Sequence, residues 1–160
     1  MNDLSVEKKM RFALAGNPNC GKSTFFNLMT GQQRPVGNLS GVTVEKYVGT
    51  VKKGVSQKNI ELCDLPGMYS ADPLGAEERI AAEELKSGAY DCIINIIDGT
   101  NLERQLYLTL QLRMTGKPMV VGVNMADILK EQGIYIDYKK LGRLLGNVEV
   151  LPISAKRGTG

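Results

Sequence analysis

Residues 16–23 of this 160-residue chain read GNPNCGKS and match the pattern GxxxxGK[ST]. The eight positions are Gly16, Asn17, Pro18, Asn19, Cys20, Gly21, Lys22 and Ser23, and Thr24 follows directly. A strand-length apolar run, Met10–Ala15, precedes the pattern, and a helix-like segment, Lys22–Met29, follows it. Glycines at such a turn let the backbone wrap around an anion, toward which amide groups and the positive helix end point. The pattern therefore predicts a phosphate-binding loop, the alternative being a glycine-rich turn with an incidental Lys-Ser.

Two side chains of this loop suit the chemistry of a bound nucleotide. We expect the Lys22 ammonium to neutralise charge on the β- and γ-phosphates. We expect the Ser23 hydroxyl to ligate Mg²⁺, which prefers oxygen ligands. Thr24, the next residue along the chain, is also predicted to bind phosphate.

A second motif, Asp64-Leu65-Pro66-Gly67, lies at the end of another predicted strand. Ligands of open α/β sheets bind at the carboxyl ends of the strands. The Asp64 carboxylate can hold Mg²⁺ through a water molecule, and the Gly67 amide can reach the γ-phosphate. A DxxG string alone is more often a solvated turn, so its place behind the phosphate-binding loop is what favours the functional interpretation.

Base choice is predicted from Asn124-Met125-Ala126-Asp127 and from Ser154-Ala155-Lys156, each of which follows a predicted strand. The Asp127 carboxylate can accept two hydrogen bonds from the N1 and N2 donors of guanine. Adenine lacks that pair of donors, so Asp127 would stay unpaired against ATP. We expect Asn124 to join this loop to the phosphate-binding loop, the Ala155 amide to reach guanine O6 and the Lys156 stem to cover the ring. Each string alone could be an ordinary loop; the order of all four argues otherwise.

Hydrophobic runs of strand length alternate with helical segments along the whole chain, which predicts an α/β fold with a mostly parallel sheet. Six strands are predicted, and the second and third form an antiparallel hairpin. The predicted strands are Met10–Ala15, Thr43–Lys52, Lys58–Asp64, Asp91–Asp98, Pro118–Asn124 and Val148–Ile153. The predicted helices are Lys22–Met29, Asp72–Ser87, Asn101–Met114 and Asp137–Leu145, and Gly31–Gly41 is a predicted loop.

The composition excludes several classes of chemistry. The chain has no histidine, which excludes a Ser-His-Asp or Cys-His nucleophile, a histidine-ligated zinc or haem and a histidine pH switch. Its three cysteines are widely spaced, so neither a disulfide framework nor a zinc ribbon is indicated. A formal charge of +3, spread over isolated lysine pairs, gives no reason to expect a nucleic-acid partner. No apolar run has the ~18–20 residues of a transmembrane helix.

The length predicts one domain spanning residues 1–160. Ser154–Gly160 reads like a loop that leads into a helix. We therefore expect either that the last helix is missing or that the chain is a domain excised from a longer protein.

With these motifs in place, the chain resembles a TRAFAC-class small GTPase domain. More narrowly, it is similar to the cytosolic G domain of the bacterial ferrous iron transport protein B family. Three stretches carry the narrower resemblance: GNPNCGKSTFFNLMTG at Gly16–Gly31, VGNLSGVTVE at Val36–Glu45 and NLERQLYLTLQL at Asn101–Leu112. The resemblance implies a Ras-like P-loop GTPase fold with helices on both faces of the sheet. It implies GTP and GDP as ligands together with Mg²⁺.

The resemblance also assigns residue roles. Thr43 is expected to close onto Mg²⁺ and the γ-phosphate in the GTP state, the alternative being an ordinary strand-edge threonine. Asn19 is similar to the phosphate-loop asparagine that helps hold K⁺ in potassium-activated GTPases, the alternative being a polar loop residue. Asn19, Lys22, Thr43 and Gly67 are thus the expected catalytic residues.

Two positions depart from the wider GTPase pattern. Met68 follows DLPG, where many GTPases carry a glutamine that orients the attacking water. A thioether cannot do this, so intrinsic hydrolysis is expected to be slow. Met125 replaces the lysine of NKxD, so modest nucleotide affinity is expected.

For the whole protein, the resemblance implies that the nucleotide cycle regulates or drives ferrous iron uptake by a membrane permease portion of the same polypeptide. The domain would then lie at the cytoplasmic face of the bacterial inner membrane, with a homo-oligomer possible through the parent protein. Two alternatives remain open: a nucleotide-sensing switch with incidental hydrolysis, and a free-standing RNA- or ribosome-associated GTPase of the same class.

Overall fold

A computed structural model describes residues 9–33, 47–71, 76–87 and 90–160 of the chain. Within these ranges six strands form one sheet in the order β2-β3-β1-β4-β5-β6. The strands are β1 (Met10–Ala15), β2 (Tyr47–Thr50), β3 (Ile60–Asp64), β4 (Cys92–Asp98), β5 (Met119–Asn124) and β6 (Glu149–Pro152). Every neighbouring pair is parallel except β2 and β3. The predicted mostly parallel sheet with one antiparallel strand is confirmed.

Five helices connect the strands in the described part of the chain. They are α1 (Lys22–Thr30), α2 (Ala76–Lys86), α3 (Leu102–Met114), α4 (Ala126–Glu131) and α5 (Tyr138–Leu144). A short 3₁₀ turn, Gly99–Asn101, precedes α3, and the Asp98 side chain accepts a hydrogen bond from the Thr100 amide at its start. None of the helices in these ranges is long and apolar enough to cross a membrane.

The two faces of the sheet are covered by different helices, because alternate residues of a strand point to opposite sides. On β1, Leu14 packs into a core cluster with Phe26 of α1, whereas Ala13 and Ala15 pack with α2 and α3 residues such as Leu108. Phe26 and Leu108 are fully buried, and burial of one such side chain is worth about 2–3 kcal/mol. The predicted helices on both faces are confirmed.

The structure departs from the sequence predictions in several places, most of them shifts of one or two residues in the bounds of an element. Helix α4 (Ala126–Glu131) was not predicted, since six residues are too few to display a helical period. Strand β2 ends at Thr50 instead of Lys52. Ser154 and Thr159 form an isolated antiparallel bridge that closes the predicted loop after β6 into a turn.

The topology brings the predicted motifs to one edge of the sheet. The carboxyl ends of β1, β3, β5 and β6 lead into Gly16, Leu65, Met125 and Ile153 respectively. Strand β1 has β3 on one side and β4 on the other, which makes its carboxyl end a point where the strand order switches. Ligands of open α/β sheets bind at such points.

Candidate functional site

A pocket of about 390 Å³ lies at this edge of the sheet, within the size range of small-molecule sites. All four predicted motifs contribute to its wall. The lining residues are Asn17, Pro18, Asn19, Gly21, Lys22, Ser23, Thr24, Gly67, Asn124, Met125, Asp127, Ile128, Ser154, Ala155 and Lys156. Of the other predicted site residues, Gly16, Cys20 and Asp64 are buried and do not line the pocket, and Thr43 lies outside the described residues.

The loop between β1 and α1 has the backbone shape of an anion cradle. Asn19 and Gly21 have φ angles of 64° and 91°, in the left-handed region that asparagine and glycine tolerate best. A Cβ on Gly21 would overlap the Asn124 side chain, so only glycine fits there. Since no side chain caps the first turn of α1, its amide groups remain available for an anion.

Beneath the cradle, Lys22 and Asp64 form a buried ion pair, with 2.5 Å between Nζ and Oδ1. Their side chains are only 8% and 0% exposed. Each charge thus compensates the other. The Lys22 ammonium has three donors, so phosphate groups that bind it would compete with this carboxylate for them.

The DLPG segment is bonded directly to the phosphate-binding loop. The Leu65 and Met68 amides donate to the carbonyls of Leu14 and Gly16, at 3.1 and 3.2 Å. A Cβ on Gly67 would come within 3.1 Å of the Pro18 backbone, so glycine permits this close approach. The segment is therefore tied to the loop by the Met68–Gly16 hydrogen bond and by the contact of Gly67 with Pro18.

Met68, which stands where a water-orienting glutamine occurs in many GTPases, is fully buried in a core cluster. Its side chain packs among apolar residues that include Leu65, Ala81 and Leu85. It does not line the pocket.

Asn124 joins the two ends of the pocket. Its Nδ2 donates to the Cys20 carbonyl of the phosphate-binding loop at 2.9 Å. Its Oδ1 accepts from the Ala155 amide, also at 2.9 Å. Asn124 thus makes the predicted link to the phosphate-binding loop. The same side chain also accepts from the Ala155 amide, which was predicted to bind guanine O6.

Asp127 lies in the first turn of α4, which begins after Met125 in a left-handed conformation with φ 65°. A hydrogen bond from the Ser154 side chain, followed by smaller contributions from a backbone amide and from the charge of Arg157, holds the pKa of the Asp127 carboxyl below its usual range. The carboxylate is therefore ionised at neutral pH and remains an acceptor at the pocket wall.

Sequence reasoning missed two residues around Asp127. Arg157 pairs with Asp127 at 2.9 Å, and Ile128 contributes an apolar wall. Asn17, which the phosphate-binding pattern did predict, is 2% exposed, and neither polar atom of its side chain has a hydrogen-bond partner within the described ranges. A lone arginine or isoleucine after a motif carries no signal of its own, so only the fold reveals these positions.

The cysteines do not form a metal site. Cys20 and Cys63 are buried and Cys92 is half-buried. Burial raises the pKa of the Cys20 thiol to about 11. No cluster of three or more cysteine, aspartate or glutamate side chains able to hold a metal occurs in the part of the chain that the structure describes.

Comparison with known proteins agrees with this geometry. Residues 10–160 match the family model described as ferrous iron transport protein B. An Fe(2+) transporter FeoB of Legionella pneumophila is 50% identical over 151 residues, which cover 92% of this chain and 20% of that transporter. The chain thus spans about a fifth of the length of this relative.

Two solved structures show the same similarity in three dimensions. The NFeoB of S. thermophilus, bound to GDP.AlF4- and K+, matches with a TM-score of 0.86 and 49% identity, covering 94% of this chain and 57% of that one. The FeoB G-domain from Methanococcus jannaschii matches with a TM-score of 0.82 and 40% identity, covering 96% of this chain and 90% of that one.

Proposed function

The chain belongs to the ferrous iron transport protein B family, and we propose that it binds GTP and hydrolyses it to GDP and phosphate. The observation that carries this proposal is one pocket whose wall includes the phosphate-binding loop at one end and Asp127 at the other. GTP needs both features, a cradle for phosphates and an acceptor for two donors of the base. The relatives bound to GDP.AlF4- or a guanosine triphosphate analogue support the same ligand class.

Guanine selection follows from the ionised Asp127. Its carboxylate accepts from N1 and N2 of guanine, whereas adenine offers no such pair and would leave a carboxylate unpaired at the pocket wall. Met125 and Ile128 supply apolar surface, and the Lys156 stem can cover the ring. The Ser154–Lys156 segment completes this end of the pocket.

Phosphate binding uses the amides at the start of α1, between Gly21 and Thr24, and the Lys22 ammonium. The Ser23 hydroxyl at the pocket wall is an oxygen ligand that fits Mg²⁺, which would neutralise phosphate charge when bound. The buried Asp64 carboxylate does not line the pocket and would hold the ion through a water. Thr43, outside the described residues, is proposed as a further ligand.

Hydrolysis then needs positioning and charge neutralisation, with no covalent intermediate and no titrating protein group. A water attacks the γ-phosphorus, and the bond to the bridging oxygen of GDP breaks. The Lys22 ammonium and the Gly67 amide stabilise charge that develops on the phosphoryl oxygens. Because Met68 is buried and cannot orient this water, we propose a slow intrinsic rate.

We further propose that Asn19 contributes an oxygen ligand to K⁺ beside the phosphates. The residue lines the pocket with an exposed side chain and a left-handed backbone. The K+ in the S. thermophilus relative supports this assignment.

For the parent protein, we propose that residues 1–160 are one G domain attached to a membrane permease portion, at the cytoplasmic face of a bacterial inner membrane. Its nucleotide cycle would regulate or drive ferrous iron uptake. A second candidate, a nucleotide-sensing switch whose hydrolysis is incidental, is favoured by the buried Met68. The family match favours both of these over an RNA-associated GTPase.

The proposal is tested by nucleotide binding and turnover. We expect the wild type to prefer GTP over ATP, and Asp127→Asn to shift preference toward xanthosine triphosphate by roughly tenfold or more, because one acceptor becomes a donor. GTP turnover should be higher in KCl than in NaCl, and Asn19→Ala should lose that difference. A wild type without preference for GTP would refute nucleotide selection by Asp127. Equal turnover in both salts would refute the potassium site and favour the switch.

A further inference from the structure

Asp127 lines two neighbouring pockets. On one side is the nucleotide pocket already described. On the other is a shallow cleft whose wall consists of Ala126, Asp127, Lys130, Glu131, Arg157 and Thr159. Arg157 belongs only to this second cleft, so it reaches Asp127 from the side opposite to the nucleotide.

The Arg157 guanidinium bridges two carboxylates of α4. Its Nε lies 2.9 Å from Oδ2 of Asp127, and its Nη2 donates to Oε1 of Glu131 at 2.7 Å. Asp127 and Glu131 are four residues apart, so on a helix they share one face and repel each other. The flat fork of donors on an arginine suits two such acceptors, whereas a lysine ammonium is a single point charge.

The backbone that carries Arg157 is itself fixed. The Ser154 amide donates to the Thr159 carbonyl and the Gly158 amide donates to the Ser154 carbonyl, both at 2.8 Å. The Arg157 amide donates to the Ser154 hydroxyl oxygen at 3.3 Å. The closed turn that brings Ala155 and Lys156 to the pocket therefore also delivers the guanidinium to the back of Asp127.

We infer that Arg157 is a positioning residue for guanine recognition, which holds the plane of the Asp127 carboxylate so that both its oxygens meet the base edge. This inference rests on the proposed binding of guanine nucleotides. The terminal torsion of an aspartate is soft. The Ser154 side chain also holds this carboxylate, and loss of Arg157 from the other side would let it rotate more easily away from coplanarity. Such rotation first weakens the hydrogen bond from the N2 amino group of guanine. Hypoxanthine lacks that amino group and is insensitive to it.

The test compares GDP with inosine diphosphate, which differ by this amino group, in titrations of the purified protein. For Arg157→Ala we expect GDP affinity to fall roughly two- to fivefold, the range of a partly exposed ion pair, with little change for inosine diphosphate. Arg157→Lys should restore part of the preference for GDP. Glu131→Gln, which leaves the Asp127 pair intact, should have a smaller effect. Arg143→Ala, which removes an exposed arginine of α5, is the matched control and should bind like the wild type.

Salt gives an independent readout, because the Arg157 side chain is 58% exposed. At about 1 M NaCl the screening length is roughly 3 Å, so the difference between wild type and Arg157→Ala should shrink. A wild type that fails to bind GDP would refute the proposed function. A wild type that prefers GDP, with an Arg157→Ala variant of unchanged preference or of equally weakened affinity for both nucleotides, would overturn the role of Arg157 alone.

Discussion

The two ends of the pocket are prepared for a ligand in different ways. At the base end, Asn124 holds the phosphate-binding loop and the Ser154–Lys156 segment together through two hydrogen bonds of 2.9 Å. Ligand binding does not have to break either bond for Asp127 to face the base. At the phosphate end, the main cation, Lys22, is already paired with a buried carboxylate, Asp64. Phosphate groups that bind there would therefore compete with this carboxylate for the ammonium donors.

The base end can therefore select the base with little rearrangement of the protein. At the phosphate end, binding is coupled to a change in the Lys22–Asp64 ion pair. Asp64 terminates β3 and leads into the DLPG segment, which is bonded to the phosphate-binding loop through Gly16. When Lys22 exchanges one partner for another, this segment experiences the change directly. The ion pair thus links the phosphate end to the DLPG segment.

The largest effect is expected at the phosphate end, from Lys22→Ala. The free energy of unfolding should fall by about 3–5 kcal/mol, because the variant removes one member of a buried ion pair. GDP affinity should fall on the order of a hundredfold, the value of a strong hydrogen bond to a charged group. Thermal unfolding and nucleotide titration measure the two effects separately.

The double variant Lys22→Ala/Asp64→Asn is the control for this experiment. It replaces the buried charge by a neutral amide and should recover stability without recovering GDP affinity. A single Lys22→Ala variant that melts like the wild type would mean that the ion pair does not hold the empty phosphate end.

The base end is tested by Asn124→Ala, which removes both hydrogen bonds of a side chain that is 4% exposed. We expect a loss of about 2–4 kcal/mol in unfolding free energy, since the Cys20 carbonyl and the Ala155 amide both lose a buried partner. GDP affinity should fall roughly tenfold, because the two loops are no longer held in register.

Asn95→Ala is a matched control for that variant. Asn95 is also buried, donates to the Ala15 carbonyl at 3.3 Å and accepts from the Thr109 hydroxyl at 2.7 Å. It should lose similar stability and keep GDP affinity, because it does not line the pocket. Equal losses of affinity in both variants would show that Asn124 acts through stability alone.

A smaller effect is expected from Met68→Gln, which places an amide where many GTPases have one. Because Met68 is fully buried among apolar side chains, the new amide should cost about 1–3 kcal/mol of stability and leave GTP hydrolysis no faster. Met68→Leu conserves volume and should cost less than about 1.5 kcal/mol. A Met68→Gln variant with unchanged melting and faster hydrolysis would place residue 68 at the phosphate end.

The same two ends show how far sequence reasoning reaches. The phosphate-binding loop and the sheet were predictable, because glycine spacing and alternating strand-length runs are local patterns. Helix α4 was missed because six residues show no period, and Arg157 was missed because one arginine says nothing about which carboxylate it meets. The partners of Lys22 and of the Ala155 amide in the empty protein depend on contacts 42 and 31 residues apart, which no motif encodes.

The smallest effect is expected at Cys20, where the base end and the phosphate end of the pocket meet. The Cys20 carbonyl accepts a hydrogen bond from Asn124, and the residue is 1% exposed in the phosphate-binding loop. If the base end is already assembled in the empty protein, addition of GDP should change the rate of iodoacetamide labelling of Cys20 at pH 8 by less than about twofold. The rate itself should be low and should rise steadily with pH up to and beyond 10, because the thiol, with its pKa raised to about 11 by burial, is the unreactive form below that value. The half-buried Cys92 serves as internal reference, and mass spectrometry of the two peptides reads both rates from one sample. Strong protection of Cys20 by GDP would show that the empty loop opens, and the contrast between a preassembled base end and an exchanging phosphate end would then be wrong.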